Sequence, residues 1–192
     1  MSKLNVGRPK GKSVLSKELI AKEALVLLDA SGPQALSMRS LAGHLKVTPM
    51  ALYNHFPDRS ALLRCVSDMV YGEVTQSYES RSGGLRERFE FLLVKYHQTV
   101  IHHPNLSICI FQDPEAFSVE VEKITGHIVN LLAEAKIDKS KRGMWLDILV
   151  DFTHGSSIAV ALNHLHESKK SNLRGASVKY KAELNLLLDV IL

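Results

Sequence analysis

Residues 47–56, Val-Thr-Pro-Met-Ala-Leu-Tyr-Asn-His-Phe, carry side chains whose types and spacing suit recognition of another molecule. If this segment is helical, Val47, Leu52 and Phe56 lie on the side that packs against neighbours. The side chains left facing outward are those of Pro49, Met50, Ala51, Tyr53, Asn54 and His55. A merely solvated helix favours Lys and Glu, whereas amide, phenol and imidazole groups hydrogen-bond to bases and phosphates. This face therefore favours a helix whose N-terminal end enters the DNA major groove, the alternative being a helical hairpin inside an all-α core.

Capping and breaking residues predict the short elements that hold this face. Ser37 is a good N-cap for a first helix that ends near Leu45, and Lys46-Val47 interrupts it. Thr48 followed by Pro49 restarts the chain as a helix, since proline is tolerated at the first helical position. The pattern predicts a helix-turn-helix.

The second helix is expected to run about two turns and to end near Pro57, because the residue before a proline disfavours helix. Asp58 can cap a third helix. A helix of about two turns is not stable alone in water, so its neighbours must support it.

These segments together resemble the N-terminal motif of the tetracycline-repressor (TetR) family. The resemblance rests on Thr48 to Phe56, preceded by Ser37-Met38-Arg39-Ser40-Leu41-Ala42, and covers roughly residues 15 to 65. The turn position that is usually Gly in the family is Lys46 here, which costs about 1 kcal/mol if the position requires a positive φ. The resemblance implies a DNA-binding homodimer that holds a small-molecule effector and most often acts as a repressor.

The resemblance also implies which residues meet the DNA. They are Ser37, Arg39, Thr48, Pro49, Met50, Ala51, Tyr53, Asn54, His55 and Arg59. Of these, Tyr53, His55 and Arg59 are expected to contact the phosphate backbone and so position the protein on the DNA. The residues expected to lie nearer the bases are Arg39, Pro49, Met50 and Asn54.

Charge is distributed unevenly along the chain. Residues 1–64 carry ten Lys/Arg and four Asp/Glu, a net +6, whereas residues 65–192 carry fourteen and sixteen, a net −2. Lys3, Arg8, Lys10 and Lys12 alternate with Gly and Pro in residues 1–13, which disfavours helix and strand. This basic arm is either a solvated tail or a segment that reaches phosphates or the minor groove.

Catalytic and metal-binding patterns are weak. The histidines of His102-His103 and of His164-x-His166 point in different directions on a helix, so neither pair readily shares one metal ion. Asp147, Asp151 and His154 fall on one line of a helix, as an acid–base pair, a polar pocket edge or a hydrated stripe. There is no Gly-rich phosphate loop and no Gly-x-Ser-x-Gly elbow, so neither an enzyme, a metal site nor a cofactor is predicted.

The two isolated cysteines, Cys65 and Cys109, are interpreted as buried thiols in a reducing cytoplasm. No apolar run approaches the roughly 18 residues of a membrane span, and no apolar run follows the basic N-terminus as in a signal peptide. A cytoplasmic protein without a membrane partner is expected.

Helical periodicity continues to the end of the chain, so the predicted fold class is all-α. The first long helix is predicted to begin at Ser16 and to stop at Ser31-Gly32-Pro33. The later predicted helices run from Asp58 to about Ser77, from Leu85 to His103, from Asn105 to Phe111, from Asp113-Pro114 to Ala135, from 143 to about 167 and from Val178 to Leu192. Residues 136–143 and Ser168–Ser177 are predicted loops. The predicted domains are the arm 1–13, a three-helix DNA-binding domain at 14–65, and a larger helical effector-binding and dimerisation domain at 66–192.

The last two helices indicate a partner. The final one is apolar nearly all round, and the preceding one carries Gly155-Ser156-Ser157 and Ala159-x-Ala161, small residues that permit close helix contact. A homodimer through a four-helix interface fits both features, and burial within one chain is the alternative.

An apolar pocket is predicted among three helices of the larger domain. Its residues are expected to be Phe89, Leu93, Tyr96, His97, His127, Ile128, Trp145, Leu149, Asp151, Phe152 and His154. Bulky apolar stripes with sparse polar groups suit an apolar or amphipathic ligand, with His97, His127, Asp151 and His154 orienting it. A fully packed core would use the same stripes.

The function predicted from all this is a sequence-specific transcriptional regulator that binds double-stranded operator DNA at an inverted repeat. It is expected to be a repressor that the ligand releases from the operator. The alternatives are a helical ligand-binding or catalytic protein with a vestigial DNA-binding motif, and a DNA binder without an effector.

Overall fold

The computed structural model describes residues 15–166 and 173–192. The predicted basic arm at 1–13 lies outside these ranges. Within them every regular element is helical, as predicted. The helices are α1 (Lys17–Ser31), α2 (Met38–Leu45), α3 (Pro49–Tyr53), α4 (Arg59–Glu79), α5 (Leu85–His102), α6 (Pro104–Gln112), α7 (Val119–Glu134), α8 (Lys139–His166) and α9 (Leu173–Ile191), with 3₁₀ turns at Pro33–Ala35 and Pro114–Ala116.

Side-chain caps begin the N-terminal helices where the sequence predicts them. Ser16 Oγ accepts from the backbone N–H of Leu19 at 3.2 Å, and Asp58 Oδ1 accepts from that of Ala61 at 2.7 Å. Each cap satisfies a backbone donor that the first turn leaves unpaired. Helix starts are therefore fixed locally by residues legible in the sequence.

Four predicted boundaries are wrong, for local reasons. Helix α3 ends at Tyr53 rather than near Pro57, because the next two residues form a turn in which the N–H of His55 donates to Leu52 O at 2.9 Å. Asp113 caps a 3₁₀ turn and not a long helix, and Ser118 caps α7.

The other two errors shorten predicted loops. Helix α8 begins at Lys139, inside the predicted loop 136–143, because Asp138 Oδ1 accepts from the backbone N–H of Ser140 at 2.8 Å. Helix α9 begins at Leu173 rather than Val178, and the rest of the predicted loop 168–172 lies outside the described residues.

One buried core runs from the N-terminal helices into the larger domain. Ile20, Leu28 and Leu52 are buried under α1–α3, and Leu62 and Val66 continue the same cluster along α4. Helix α4 packs against α1 at one end and against α5 and α7 further along. It therefore joins the helix-turn-helix to the larger domain without a flexible linker.

In the described part of the chain, no helix is both long and apolar enough to cross a membrane.

Candidate nucleic-acid interface and buried cavity

Helix α3 presents one side to the core and the other to solvent. Leu52 and Phe56 are buried, whereas Met50 is 67% and Tyr53 46% exposed. The exposed set also includes Thr48, Pro49 and Asn54, and the half-buried set Ala51 and His55. Met50 and Tyr53 therefore face outward on this five-residue helix, where the sequence places them.

The turn before α3 keeps a tight geometry despite its lysine. Lys46 has φ 56° and ψ 42°, and the N–H of Val47 donates to Ala42 O at 3.0 Å. The left-handed conformation satisfies carbonyls at the end of α2. The positive φ that glycine would ease is therefore present, and Lys46 adopts it.

Two further predicted DNA contacts lie at the start of α2. Ser37 Oγ accepts from the N–H of Ser40 at 3.0 Å, and the Ser40 hydroxyl accepts from the N–H of Ser37 at 2.9 Å. Ser37 thus caps α2 while remaining exposed, and Arg39 in the same first turn is exposed as well.

Arg59, another predicted DNA contact, makes hydrogen bonds within the chain. Its Nε donates to Leu36 O at 2.9 Å and its Nη2 to Cys109 Sγ at 3.4 Å. These bonds give the half-buried guanidinium a structural role in the chain, and its predicted contact with the phosphate backbone stays a prediction.

Helix α6 is tied to the N-terminal helices around Arg59. Ser60 Oγ donates to Asp113 Oδ2 at 2.6 Å, and Asn105 Nδ2 donates to Leu28 O at 2.9 Å. His103 Nδ1 lies 2.9 Å from Asp29 Oδ2. A displacement of α6 would therefore be transmitted directly to α1 and to the start of α4.

The predicted ligand residues do not form one site. Phe89, Leu93, Ile128 and Leu149 are fully buried in the core. His127 lies 3.5 Å from Glu79 and packs on Tyr78, on another side of α7. Helical spacing correctly identified Phe89, Leu93, Ile128 and Leu149 as inward-facing, but they pack against neighbouring helices in the core.

His97 and Phe152 belong to a separate buried stack. His97 lies on Tyr180 at 3.8 Å between ring centroids, and Phe152 lies on Tyr180 at 5.2 Å. Asp151 is exposed and Trp145 half-buried. None of His97, His127 and Asp151 lines the buried cavity described next, and their role in orienting a ligand stays a prediction.

That cavity lies between α4, α5, α6, α7 and α8 and has a volume of about 40 Å³. Its lining residues are Tyr71, Tyr96, Ser107, Ile110, Phe111, Phe117, Val121, Thr125, Val150 and His154. Only Tyr96 and His154 come from the predicted set. Tyr71, Ser107, Ile110 and Phe111 were missed because the predicted pocket did not include α4 and α6, although Tyr71 continues the buried stripe of α4. Val121, Thr125 and Val150 lie on helices that the prediction did include, at positions that it did not select.

Hydrogen bonds inside the cavity join its polar groups in two pairs. The hydroxyls of Tyr71 and Ser107 lie 2.8 Å apart, and the hydroxyl of Tyr96 bonds to His154 Nε2. Burial raises the pKa of Tyr71 to about 12 and that of Tyr96 well above its usual value. Burial lowers the pKa of His154 to about 4, against a smaller opposing effect of Asp151. All these groups are therefore neutral at pH 7.

Two larger depressions on the surface are more open and more polar. One, of about 550 Å³, includes Arg81, Phe91 and Lys181, and the other, of about 530 Å³, includes Lys22 and His103. Neither brings buried polar groups together, so the small cavity is the better candidate for a specific small molecule.

Comparison with protein families identifies the N-terminal segment. Residues 20–66 match the family described as bacterial regulatory proteins, tetR family. This confirms the resemblance read from the residues around Thr48 to Phe56.

Two curated relatives are transcriptional regulators of the helix-turn-helix type. One, from Mycobacterium tuberculosis, is 34% identical over 110 residues, which are 51% of this chain and 50% of that protein. The other, from Saccharopolyspora erythraea, is 31% identical over 93 residues, 48% of this chain and 39% of that protein. The chain thus spans half or less of the length of these relatives.

Solved structures share the whole fold. BioQ of Mycobacterium smegmatis superposes with a TM-score of 0.74 at 22% identity, over 92% of this chain and 98% of that one. BioQ bound to its natural double-stranded DNA operator gives 0.68 at 22% identity, over 93% and 98%. ActR of Streptomyces coelicolor in complex with (S)-DNPA also gives 0.68 at 22%, over 93% and 98%. At this identity the likeness confirms the all-α, two-part fold.

Proposed function

Because residues 20–66 belong to the tetR family of bacterial regulators, we propose that this chain is a homodimeric, DNA-binding transcriptional regulator. Residues 14–65 serve as the DNA-binding domain and residues 66–192 as the effector-binding and dimerisation domain. The observation that carries the proposal is the exposure of Met50, Tyr53 and Asn54 on a helix whose other side is buried. In the proposal the regulator is a cytoplasmic repressor.

On DNA, the N-terminal end of α3 enters the major groove. Pro49, Met50 and Asn54, with Arg39 from α2, lie nearest the bases, while Tyr53 and His55 contact the backbone. Ser37, Thr48 and Ala51 lie at the same surface, Ser37 and Thr48 as helix caps whose positions set how closely the backbone approaches. BioQ, which has this fold, has been solved on its operator, and that supports the mode of binding proposed here.

Dimerisation uses the exposed faces of α8 and α9. Helix α9 buries Leu184 and Leu188 within the chain but leaves Leu186 and Val190 about 70% exposed. Helix α8 exposes Ile148 and, further along, the small residues Gly155 and Ala159. Large apolar faces of this kind indicate a protein–protein interface, and a second copy of the chain makes the two faces self-complementary.

The dimer requires an operator with two half-sites. Two identical recognition helices related by a two-fold axis read an inverted repeat, with half-site centres about 34–36 Å apart or a multiple of that distance.

Effector control follows from the position of the cavity beside α6. A molecule that enters the cavity displaces Phe111 or Ile110 in α6. The movement of α6 then reaches Arg59 in α4 through Cys109, and Leu28 in α1 through Asn105. The separation of the two recognition helices then changes, and the repressor leaves its operator. ActR, with the same fold, has been solved with a small molecule bound, which supports an effector for this chain.

Selection of bound sites from random double-stranded DNA tests the proposal. The expected product is an inverted repeat whose half-sites are separated by one helical turn or a multiple. Enrichment of a single unpaired half-site argues against the dimer, and no enrichment argues for the alternative of a helical protein with a vestigial motif. An operator complex that no cavity ligand weakens identifies the second alternative, a DNA binder without an effector.

A further inference from the structure

The cavity has walls made largely of aromatic rings. Tyr71 and Tyr96 meet edge to face at 5.7 Å, Tyr96 and His154 at 5.2 Å, and Phe111 and His154 at 4.7 Å. Phe117 adds a fifth ring to the lining. Aromatic rings gain from edge-to-face and offset contacts with other rings, so these walls favour a flat aromatic guest over a flexible chain.

The Tyr96–His154 pair has one hydrogen more than its own bond uses. A neutral tyrosine and a neutral histidine carry one O–H and one N–H, and one of these makes the bond between Tyr96 Oη and His154 Nε2. If Tyr96 donates, His154 Nδ1 carries the spare N–H; if His154 donates, Tyr96 keeps a spare O–H. In the described structure Nδ1 is buried without a hydrogen-bond partner, and His154 is only 8% exposed. Either tautomer therefore leaves a buried donor that lacks an acceptor.

Charge is missing from the cavity wall. The described residues that line it are aromatic, aliphatic or hydroxyl-bearing, with His154 held neutral by burial. An ionised guest would lose its hydration without gaining an opposite charge, which is a large cost. The wall therefore selects an uncharged molecule.

The entrance lies at Phe111 and Phe117. Both residues line the cavity, yet Phe111 is 53% and Phe117 44% exposed, so they stand between the cavity and solvent. A volume of about 40 Å³ holds no more than a few water molecules, each of which needs about 10–15 Å³. A guest therefore enters by moving one of these two rings.

We infer that the cavity binds a small, uncharged aromatic molecule bearing a hydrogen-bond acceptor, such as a ketone oxygen, and that the Tyr96–His154 pair donates to it. This deepens the proposed function by naming the chemistry of the effector. Binding itself is measured without DNA, so the inference can fail while the proposed function stands, and the reverse.

Three probes of one size separate the requirements. Acetophenone offers a ring and an acceptor, ethylbenzene has nearly the same shape without the acceptor, and benzoate adds a negative charge. Calorimetric titration of the full chain at pH 7 should rank acetophenone about three- to tenfold tighter than ethylbenzene, the difference that one hydrogen bond makes. Benzoate should bind at least tenfold more weakly than acetophenone.

A pair of double variants locates the preference. Tyr96→Phe/His154→Phe removes both donors of this pair and keeps two rings in the wall, so acetophenone and ethylbenzene should then bind alike. A preference for acetophenone that survives the substitutions would assign the donor to the Tyr71–Ser107 hydroxyls and overturn the role of Tyr96 and His154. The matched control is Tyr180→Phe/His97→Phe, which removes the same groups from the stacked pair outside the cavity and should keep the wild-type ratio. A single variant is insufficient, because either residue alone retains a donor.

A spectroscopic measurement on the wild-type chain replaces the variants if the first double variant does not fold. With ¹⁵N-histidine labelling, acetophenone should shift the nitrogen signals of His154 and ethylbenzene should leave them nearly unchanged, the signals being assigned from the single variant His154→Phe. Equal affinity of the two neutral probes, tightest binding of benzoate, or no binding of any probe would overturn the inference. Acetophenone binding that leaves operator affinity unchanged would uphold the site and refute its role in regulation.

Discussion

The guanidinium of Arg59, in the first turn of α4, lies 3.4 Å from the Sγ of Cys109 in α6. The same side chain holds Leu36 O, in the segment that precedes α2. One residue thus bonds to the helix-turn-helix and to the helix that borders the cavity. In the proposed mechanism, Arg59 transmits displacement of α6 to the helix-turn-helix through these two contacts.

Arg59→Ala should destabilise the fold without changing the ionic character of DNA binding. The substitution removes two half-buried hydrogen bonds from a charged donor, at an expected cost of about 2–4 kcal/mol in the free energy of unfolding. Urea unfolding measures that cost, and operator titration at several salt concentrations should give the wild-type slope. Arg39→Ala, on the exposed start of α2, is the comparison and should leave stability within about 0.5 kcal/mol. A lower slope of log operator affinity against log salt for Arg59→Ala than for the wild-type chain would show that Arg59 contacts a phosphate, as expected from the sequence.

Local signals in the sequence predicted the helix-turn-helix well, because the residues that decide it are neighbours. Ser37 and Thr48 each accept a hydrogen bond from a backbone N–H only three residues further along the chain. The turn at Lys46 lies between these two caps. Arg59 bonds to Cys109, which lies fifty positions away in α6. No local sequence pattern indicates that this arginine will donate to that thiol.

The cavity was harder to predict for a similar reason. Periodicity marks Phe89, Leu149 and Tyr96 alike as inward-facing, but it does not show which inward positions meet other side chains and which border a void. Tyr71 and Phe111 border the void because α4, α6 and α8 converge there. That convergence depends on helix packing over the whole larger domain.

Variants of α2 and α3 should separate base recognition from backbone contact. Tyr53→Phe removes one hydroxyl from the exposed side of α3 and should weaken binding to all sequences alike. Asn54→Ala and Arg39→Ala should relax the preference at particular base pairs, by about 1–3 kcal/mol for a good bidentate contact. Competition between the selected operator and single-base-pair variants measures both effects. Sequence preference altered by Tyr53→Phe but not by Asn54→Ala or Arg39→Ala would reverse the assignment.

Cations of the N-terminal arm should contribute to the salt dependence of operator binding. Lys10→Ala/Lys12→Ala should lower the slope of log affinity against log salt by about 0.9 for each phosphate that the arm no longer neutralises. Lys139→Ala/Lys141→Ala removes the same charge at the exposed start of α8, in the other domain, and should leave the slope unchanged. Equal slopes for the two pairs of substitutions would show that Lys10 and Lys12 contact no phosphate and belong to a solvated tail.

Charge placed on α9 should dissociate the dimer. Light scattering should give twice the 21.4 kDa chain mass for the wild-type protein at micromolar concentration. Val190→Asp buries a charge at the proposed interface once in each subunit, so the dissociation constant should rise tenfold or more. Val26→Asp makes the same change at an exposed valine of α1 and should leave the dimer intact.

A second variant tests the close approach of α8 in the dimer. A Cβ added at Gly155, which is exposed, meets nothing within 4 Å in the single chain, so Gly155→Leu should leave the subunit fold unchanged and still weaken association. A monomeric wild-type protein, or equal masses for the Val190→Asp and Val26→Asp variants, would exclude this face as the interface.

Stability should fall as the pH falls from 7 to 5, because two buried imidazoles are neutral in the folded chain. Burial lowers the pKa of His97 and of His154 to about 4, from an ordinary value near 6.5. Between those two values the unfolded chain binds protons that the folded chain does not, so the free energy of unfolding rises with pH across this window. Acidification through the same window therefore lowers the stability of the folded chain. The expected decrease from pH 7 to pH 5 is roughly 1–2 kcal/mol for each imidazole. The lowered pKa of Glu120, which hydrogen bonds from Lys123 and Thr75 produce, affects stability only at still lower pH and does not mask the effect.

Removing one of the two imidazoles should halve this pH dependence. His97→Phe keeps a ring on Tyr180 and removes one titrating group, so urea unfolding at pH 7, 6 and 5 should show about half of the wild-type change, as expected for two independent sites. His102→Gln, at the exposed end of α5, is the control and should keep the wild-type dependence. The free energy of unfolding of His97→Phe could instead decrease as steeply as that of the wild-type chain when the pH is lowered. That result would show that His97 has the same pKa in the folded and unfolded states.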